Sequence, residues 1–135
     1  MSKKLTILFL EDDIIEIMKM NRTINKLGLP HRLLEAKNGE EAIELLKSIE
    51  VLPDIILLDL NMPKMNGIEF LTILKTNEFL QHIPVIMLTT SNTHSDLKEC
   101  YKIGIAGYML KPLSYKEYVF KIETLLAYWS ANELI

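Results

Sequence analysis

The sequence predicts a three-layer α/β fold: a five-stranded parallel sheet with helices on both faces. Three observations predict it. Short apolar runs alternate with segments whose apolar residues recur at helical spacing, five of each in turn. The strongest runs are apolar throughout rather than at every second residue, as strands buried on both faces require. No repeat, low-complexity tract or linker interrupts the alternation.

The elements follow in order. "LTILFL" (Leu5 to Leu10) reads as a buried strand. Ile14, Ile17, Met18, Ile24 and Leu27 then recur as on one helix face, and Gly28 ends that helix. "HRLLEA" (His31 to Ala36) is a weaker strand. In "NGEEAIELLKSI", Asn38 is a candidate cap and Ala42, Ile43, Leu46 and Ile49 share a face. "PDIILLDLNMP" holds the third strand, with four apolar residues (Ile55 to Leu58) followed at once by Asp59. "NGIEFLTILKT" is a third helix with Ile68, Leu71 and Leu74 in register. "PVIMLTT" is a strand, "HSDLKECYKIG" a helix ending at Gly104, and "AGYMLKP" the fifth strand. Ser114 caps a long last helix, "SYKEYVFKIETLLAYWSANEL". Periodicity does not order the strands. Right-handed crossovers with helices on both faces demand one reversal of winding, and the order 2-1-3-4-5 is the common solution, the flavodoxin-like arrangement.

Composition sets the class. The chain has 135 residues, 49% hydrophobic and 24% charged, with net charge −3. That fits one domain over residues 1–135, with no output domain expected. No basic stripe interleaved with aromatics points to nucleic acid. The single cysteine, Cys100, excludes an intrachain disulfide and suits a reducing cytoplasm. The apolar run after Lys3 and Lys4 ends on three acids and lacks the features of a secretory signal. No stretch reaches transmembrane length, so neither membrane nor nucleic acid is an expected partner.

Why a buried strand should end on a carboxylate is answered by the other strand ends. In open parallel sheets, chemistry lies beyond the carboxyl ends of the strands, at the reversal point. The first strand ends in Glu11, Asp12 and Asp13, the third in Asp59, the fourth in Thr89 and Thr90, and the fifth in Lys111 before Pro112. Crowded carboxylates either take up protons or hold a cation. Oxygen ligands in an incomplete cage suit Mg2+. A lysine supplies a point charge for an anion, and a hydroxyl can bond a phosphoryl oxygen. Together these groups describe phosphoryl transfer by positioning and charge neutralisation, with Asp59 as candidate nucleophile.

"LEDD", "LLDLNMPKMNGIEFL", "VIMLTTS" and "GYMLKP", in this order and at these separations, resemble a response-regulator receiver domain, the phosphorylated half of a two-component signalling pair. The resemblance covers essentially the whole chain. It implies that Asp59 accepts a phosphoryl group from a sensor histidine kinase or phosphotransfer protein. It implies that Glu11 and Asp12, with Asp59 and the backbone carbonyl of Asn61, hold Mg2+. Thr89 matches the switch hydroxyl, and Tyr108 the aromatic residue that moves with it. Lys111 pairs with the phosphoryl oxygens, and its bond to Pro112 is expected to be cis. Such a protein is not a conventional enzyme, but promotes its own phosphorylation and dephosphorylation. "DLNMP", "LTTS" and the "YW" tail look closest to small receivers that partner phytochrome-type kinases. Thr90 departs from the alanine many receivers carry, and Asn61 and Ser91 fall where side chains tune self-hydrolysis.

Plainer roles compete at each position. A lone strand-end aspartate is common; Asp59 stands out because three other strand ends carry matching groups. Asp13 fits a helix-start acid opposite the dipole. Thr90 fits an ordinary strand residue, and Lys111 could be a solvated lysine. His31, His82, His94 and Cys100 have no metal-ligand spacing, and the methionines read as core filler.

In the last helix, Tyr115, Tyr118, Val119, Ile122, Leu125, Leu126 and Trp129 form the core stripe. Phe120, Ala127, Ala131 and Leu134 fall on the opposite side and are candidates for a homodimer contact. With no output domain expected, signalling would pass to a separate output protein, or the chain would serve as a relay or phosphate sink. Two other functions compete. A dehalogenase-type phosphatase would want a second aspartate two positions after Asp59, where Asn61 stands. A flavin binder would want a Ser/Thr/Gly-rich phosphate loop after the first strand, where this chain has acids.

Overall fold

A computed structural model describes residues 3–135. The elements are β1 (Thr6–Leu10), α1 (Ile14–Lys26), β2 (Arg32–Ala36), α2 (Gly39–Ser48), β3 (Ile55–Leu58), α3 (Gly67–Lys75), β4 (Val85–Thr89), α4 (His94–Ile103), β5 (Gly107–Leu110) and α5 (Tyr115–Ser130). The strands form one sheet in the order β2-β1-β3-β4-β5, and every pairing is parallel. The expected flavodoxin-like (βα)5 topology is therefore the one observed.

The sheet separates two apolar layers. Leu8, Leu10, Ile56, Leu58, Val85 and Met87 point to the side covered by α2, α3 and α4. Ile7, Phe9, Ile55, Leu57, Ile86 and Leu88 point to the side covered by α1 and α5. Alternation of side chains along each strand thus gives every residue of β3 a buried place. Each such side chain contributes about 1.5–3 kcal/mol by leaving water. The sheet's centre is rigid for this reason, and rigidity there fixes what its strand ends carry.

The helix starts follow the sequence. Asn38 accepts from Glu41 N–H and Ser114 from Glu117 N–H, both as expected. Asp13 caps α1 by accepting from Ile15 N–H at 2.9 Å, which confirms its helix-start role. Asn66 and Glu69 form a reciprocal capping box at α3. Gly28 takes φ +64° just past the end of α1, a left-handed value that favours glycine.

Three details differ from expectation. On α1 the core face is Ile17, Met20, Thr23 and Ile24, whereas Ile14 and Met18 are exposed, at 67% and 63%. The helix carries two apolar stripes, and spacing alone does not say which one docks. Thr23 can be buried because its hydroxyl donates to Lys19 O. At the C-terminus, α5 ends at Ser130, so Leu134 lies beyond the helix and packs against the α1/α5 layer. The second α5 stripe therefore loses Leu134, while Phe120 stays 69% exposed. Finally, no peptide bond among the described residues is cis, so Lys111–Pro112 is trans. The trans form is the intrinsic preference of an X–Pro bond, by about 0.5–1 kcal/mol.

Cys100, on α4, is fully buried in the α2/α3/α4 layer. Burial, reinforced by Asp96 and Glu99, pushes its thiol up to about 11. The native protein is expected not to react with Ellman's reagent at pH 8, and to yield one thiol per chain once denatured. Fast native labelling would contradict this packing.

Candidate functional site

Sheet register builds the site. Leu10 pairs with Leu58, so the residues that follow, Glu11 and Asp59, emerge side by side where β1 and β3 end. The Asp59 amide donates to Leu10 O, and the Glu11 amide to Ala36 O, which extends the ladder by one step and holds both backbones. Across β4, Thr89 pairs with Leu110, and the next residue, Lys111, donates its amide to Thr89 O at 2.9 Å. Lys111 thereby swings its ammonium back over the ends of β1 and β3.

Gly67 seals the floor. Its amide donates to Leu60 O. A side-chain carbon there would lie 2.5 Å from Asp59 O and 2.9 Å from Leu60 Cα. The start of α3 rests directly on the peptide that follows the aspartate, and only glycine allows that approach.

The resulting cleft has a volume of about 470 Å3. Glu11, Asp12, Asp59, Asn61 and Lys111 line it, joined by Asp13, Glu16, Lys19 and Thr90. Glu11, Asp12 and Asp59 each offer an oxygen within 4.8 Å of the others. Hard oxygen donors at this spacing, two of them on buried residues and one exposed to water, fit a Mg2+-type ion that keeps part of its hydration shell.

Lys111 Nζ lies 2.5 Å from Glu11 Oε1, 3.4 Å from Glu16 Oε1 and 3.9 Å from Asp59 Oδ2. Burial raises the Glu11 carboxyl above its ordinary range, and the Lys111 bond partly opposes that rise. For Lys111, burial works to lower the ammonium's value, but the Glu11 bond and the charges of Asp59, Glu11 and Glu16 outweigh it, so the net shift is upward. Lys111 is therefore a buried, permanently charged cation at neutral pH, not a solvated surface lysine.

The hydroxyl positions divide. Thr89 is fully buried at the end of β4. Its Oγ1 accepts from Ser91 N–H at 3.3 Å. The neighbouring Thr90, which fits an ordinary strand residue by sequence, is the threonine on the cleft wall. Tyr108, half-buried on β5, donates its hydroxyl to Ser91 O at 2.8 Å. Ser91 Oγ in turn donates to Asp96 Oδ2 in the first turn of α4. Ser91 thus ties β4, β5 and α4 together, a role invisible in the sequence. Glu16 was missed too: an acid in the first turn of α1 reads as a dipole partner, yet it reaches Lys111. Its place five residues after Glu11, on the helix leaving the cleft, is the available signal.

A five-stranded parallel α/β sheet with an acidic triad and a buried lysine at its strand ends defines a receiver-type protein. The family model for the response regulator receiver domain matches residues 7–123, and the chain belongs to that family. The probable methanogenesis regulatory protein FilR2 of Methanothrix harundinacea is 35% identical over 127 residues, 91% of this chain and 82% of that protein. Response regulator Rcp1 of Synechocystis is 29% identical over 91% of this chain and 87% of its own length. The crystal structure of the phosphorylated cyanobacterial phytochrome response regulator RcpA superposes with a TM-score of 0.91 at 28% identity, covering 98% of this chain and 99% of that one. The Mn2+-bound form of Rcp1 gives 0.88 at 28% identity, over 97% and 99%.

Receiver domains are phosphoacceptor signalling proteins of two-component systems rather than conventional enzymes, and they accept phosphoryl groups from histidine kinases. They bind Mg2+ or Mn2+ at an acidic pocket. Among the described residues, no helix is long and apolar enough to cross a membrane.

Proposed function

We propose that this chain is a signalling switch in which Asp59 is the phosphoacceptor. The observation that carries the reading is the meeting of three buried groups from three strand ends: Asp59, Glu11 and the Lys111 ammonium. An Asp59 carboxylate oxygen forms a bond to phosphorus as the donor's P–N bond breaks, and that electron pair leaves with the imidazole nitrogen. Asp59 is ready for this because β3 holds its backbone and Gly67 packs beneath it. Lys111 balances the charge delivered to the aspartate. Glu11, Asp12, Asp59 and the Asn61 carbonyl would hold Mg2+, which supplies further charge neutralisation at the phosphoryl oxygens. The same arrangement would let water remove the phosphoryl group in time, so the chain would promote both its own phosphorylation and its own dephosphorylation.

The switch then runs through Ser91. When the Thr89 hydroxyl turns toward the phosphoryl group, it releases the Ser91 amide. Tyr108 is bonded to the carbonyl of that residue, so ring and loop shift together. The face formed by α4, β5 and α5 changes shape, and a separate output protein reads it. The donor is a sensor histidine kinase or phosphotransfer protein, of the phytochrome-partner type by likeness to RcpA and Rcp1. A cytoplasmic setting suits the buried free thiol of Cys100.

The test is incubation with acetyl phosphate, with Mg2+ or with EDTA, followed by intact mass. The parent protein gains one phosphoryl group only with Mg2+, and Asp59→Asn gains none. Labelling of Asp59→Asn would move the site elsewhere. Repeated turnover of p-nitrophenyl phosphate would favour the phosphatase reading instead.

A further inference from the structure

Lys111 is held by more negative charge than the proposed transfer uses. Glu16 lies outside the acidic triad, yet its Oε1 is closer to Lys111 Nζ, at 3.4 Å, than Asp59 is, at 3.9 Å. That Oε1 is buried and has no hydrogen-bond donor. A carboxylate oxygen left in that state is costly, so it pulls on the nearest cation. The other oxygen, Oε2, takes Lys19 Nζ at 2.9 Å. Lys19 is anchored in turn, 4.4 Å over the Tyr118 ring on α5. A line of alternating charge therefore runs from Asp59 through Lys111 and Glu16 to Lys19.

We propose that Glu16 is a positioning residue that competes with the phosphoryl group for Lys111 and so restrains phosphorylation of Asp59, with Lys19 setting the strength of that restraint. The proposal rests on the reading of Asp59 as phosphoacceptor. An arriving phosphoryl group must draw the ammonium away from the carboxylates that share it. Glu16 resists, because its buried Oε1 has no donor to replace Lys111. Its negative charge on the cleft wall also opposes an anionic donor. Lys19 neutralises part of that charge, so losing Lys19 leaves Glu16 freer to hold Lys111.

The two partners are thus expected to act in opposite directions, which a merely structural ion pair would not do. Rate constants for labelling by acetyl phosphate at saturating Mg2+, read by intact mass, test this. Glu16→Gln is expected to raise the rate about tenfold. Lys19→Gln is expected to lower it about threefold, and to have no effect in the Glu16→Gln background, since its action passes through Glu16. A Glu16→Gln rate equal to or below the parent's overturns the proposal. So does a full Lys19→Gln effect in the double variant, which would mean that Lys19 acts directly on the donor. If thermal unfolding shows that Glu16→Gln does not fold, Lys19→Gln decides, and an unchanged or faster rate overturns the proposal. Absence of labelling in the parent would instead remove the phosphoacceptor reading itself.

Discussion

Gly67→Ala is expected to destabilise the protein by about 3 kcal/mol, at the upper end of overpacking costs. It should also slow labelling of Asp59 on the order of a hundredfold. The added carbon would lie 2.5 Å from Asp59 O, 2.9 Å from Leu60 Cα and 3.2 Å from Asp59 C. Each of these is a backbone atom, so no flexible side chain can swing aside. Relief requires moving either the start of α3 or the peptide after Asp59. The α3 side is held by its capping box and by burial of Phe70, Leu71 and Leu74. The peptide after Asp59, which lies beyond the end of β3, gives way instead, and the Asp59 carboxylate shifts with it. Urea unfolding and intact-mass kinetics report the two effects separately. A variant with parental stability and rate would show that the contact beneath the aspartate is loose.

Lys111→Met is expected to cost about 3 kcal/mol in metal-free protein at neutral pH, the lower end for a buried ion pair that loses one partner. Methionine fills much the same volume but leaves Glu11, which is 2% exposed, without its cation. The direction of the pH dependence follows. The Lys111 ammonium is raised above 10.5 in the folded state, so its stabilising effect is complete at neutral pH and vanishes only as pH climbs through the folded value. Glu11 is raised above 4.5 chiefly by burial, and Lys111 is what opposes that rise. Without Lys111 the carboxyl climbs further, and the folded state takes up a proton as pH falls. The gap between parent and variant should therefore narrow from pH 7 toward pH 5. A gap that stays constant in urea unfolding across that range would mean that Glu11 finds another partner.

What the sequence made legible divides along physical lines. Continuous apolar runs such as Ile55 to Leu58 suit a sheet covered on both sides, so the strands and their layer are legible in the sequence, whereas the order 2-1-3-4-5 rests on the handedness of the crossovers. Strand ends inherit their position from the sheet, which is why the sequence alone brings Glu11, Asp59 and Lys111 to one patch. Helix faces were less legible. On α1, Ile14 and Met18 match helical spacing as well as Ile17 and Ile24 do, and only the docked sheet chooses between the stripes. Leu134 joins the second α5 stripe only if the helix runs on, and it stops at Ser130. Glu16, hinted at only by its spacing from Glu11, and Ser91 are hard to read for a different reason. Their partners, Lys111 and Tyr108, are distant in sequence and meet them only through tertiary folding.

Ser91 has a kinetic consequence. Its N–H and C=O engage Thr89 and Tyr108 respectively, and the two peptide planes that carry them meet at one α-carbon, so a turn of either plane pulls on the other. Slackening one tether without straining the other is therefore unfavourable. Graded input should emerge as shared time between two discrete loop postures, not as a continuum of half-rotated ones.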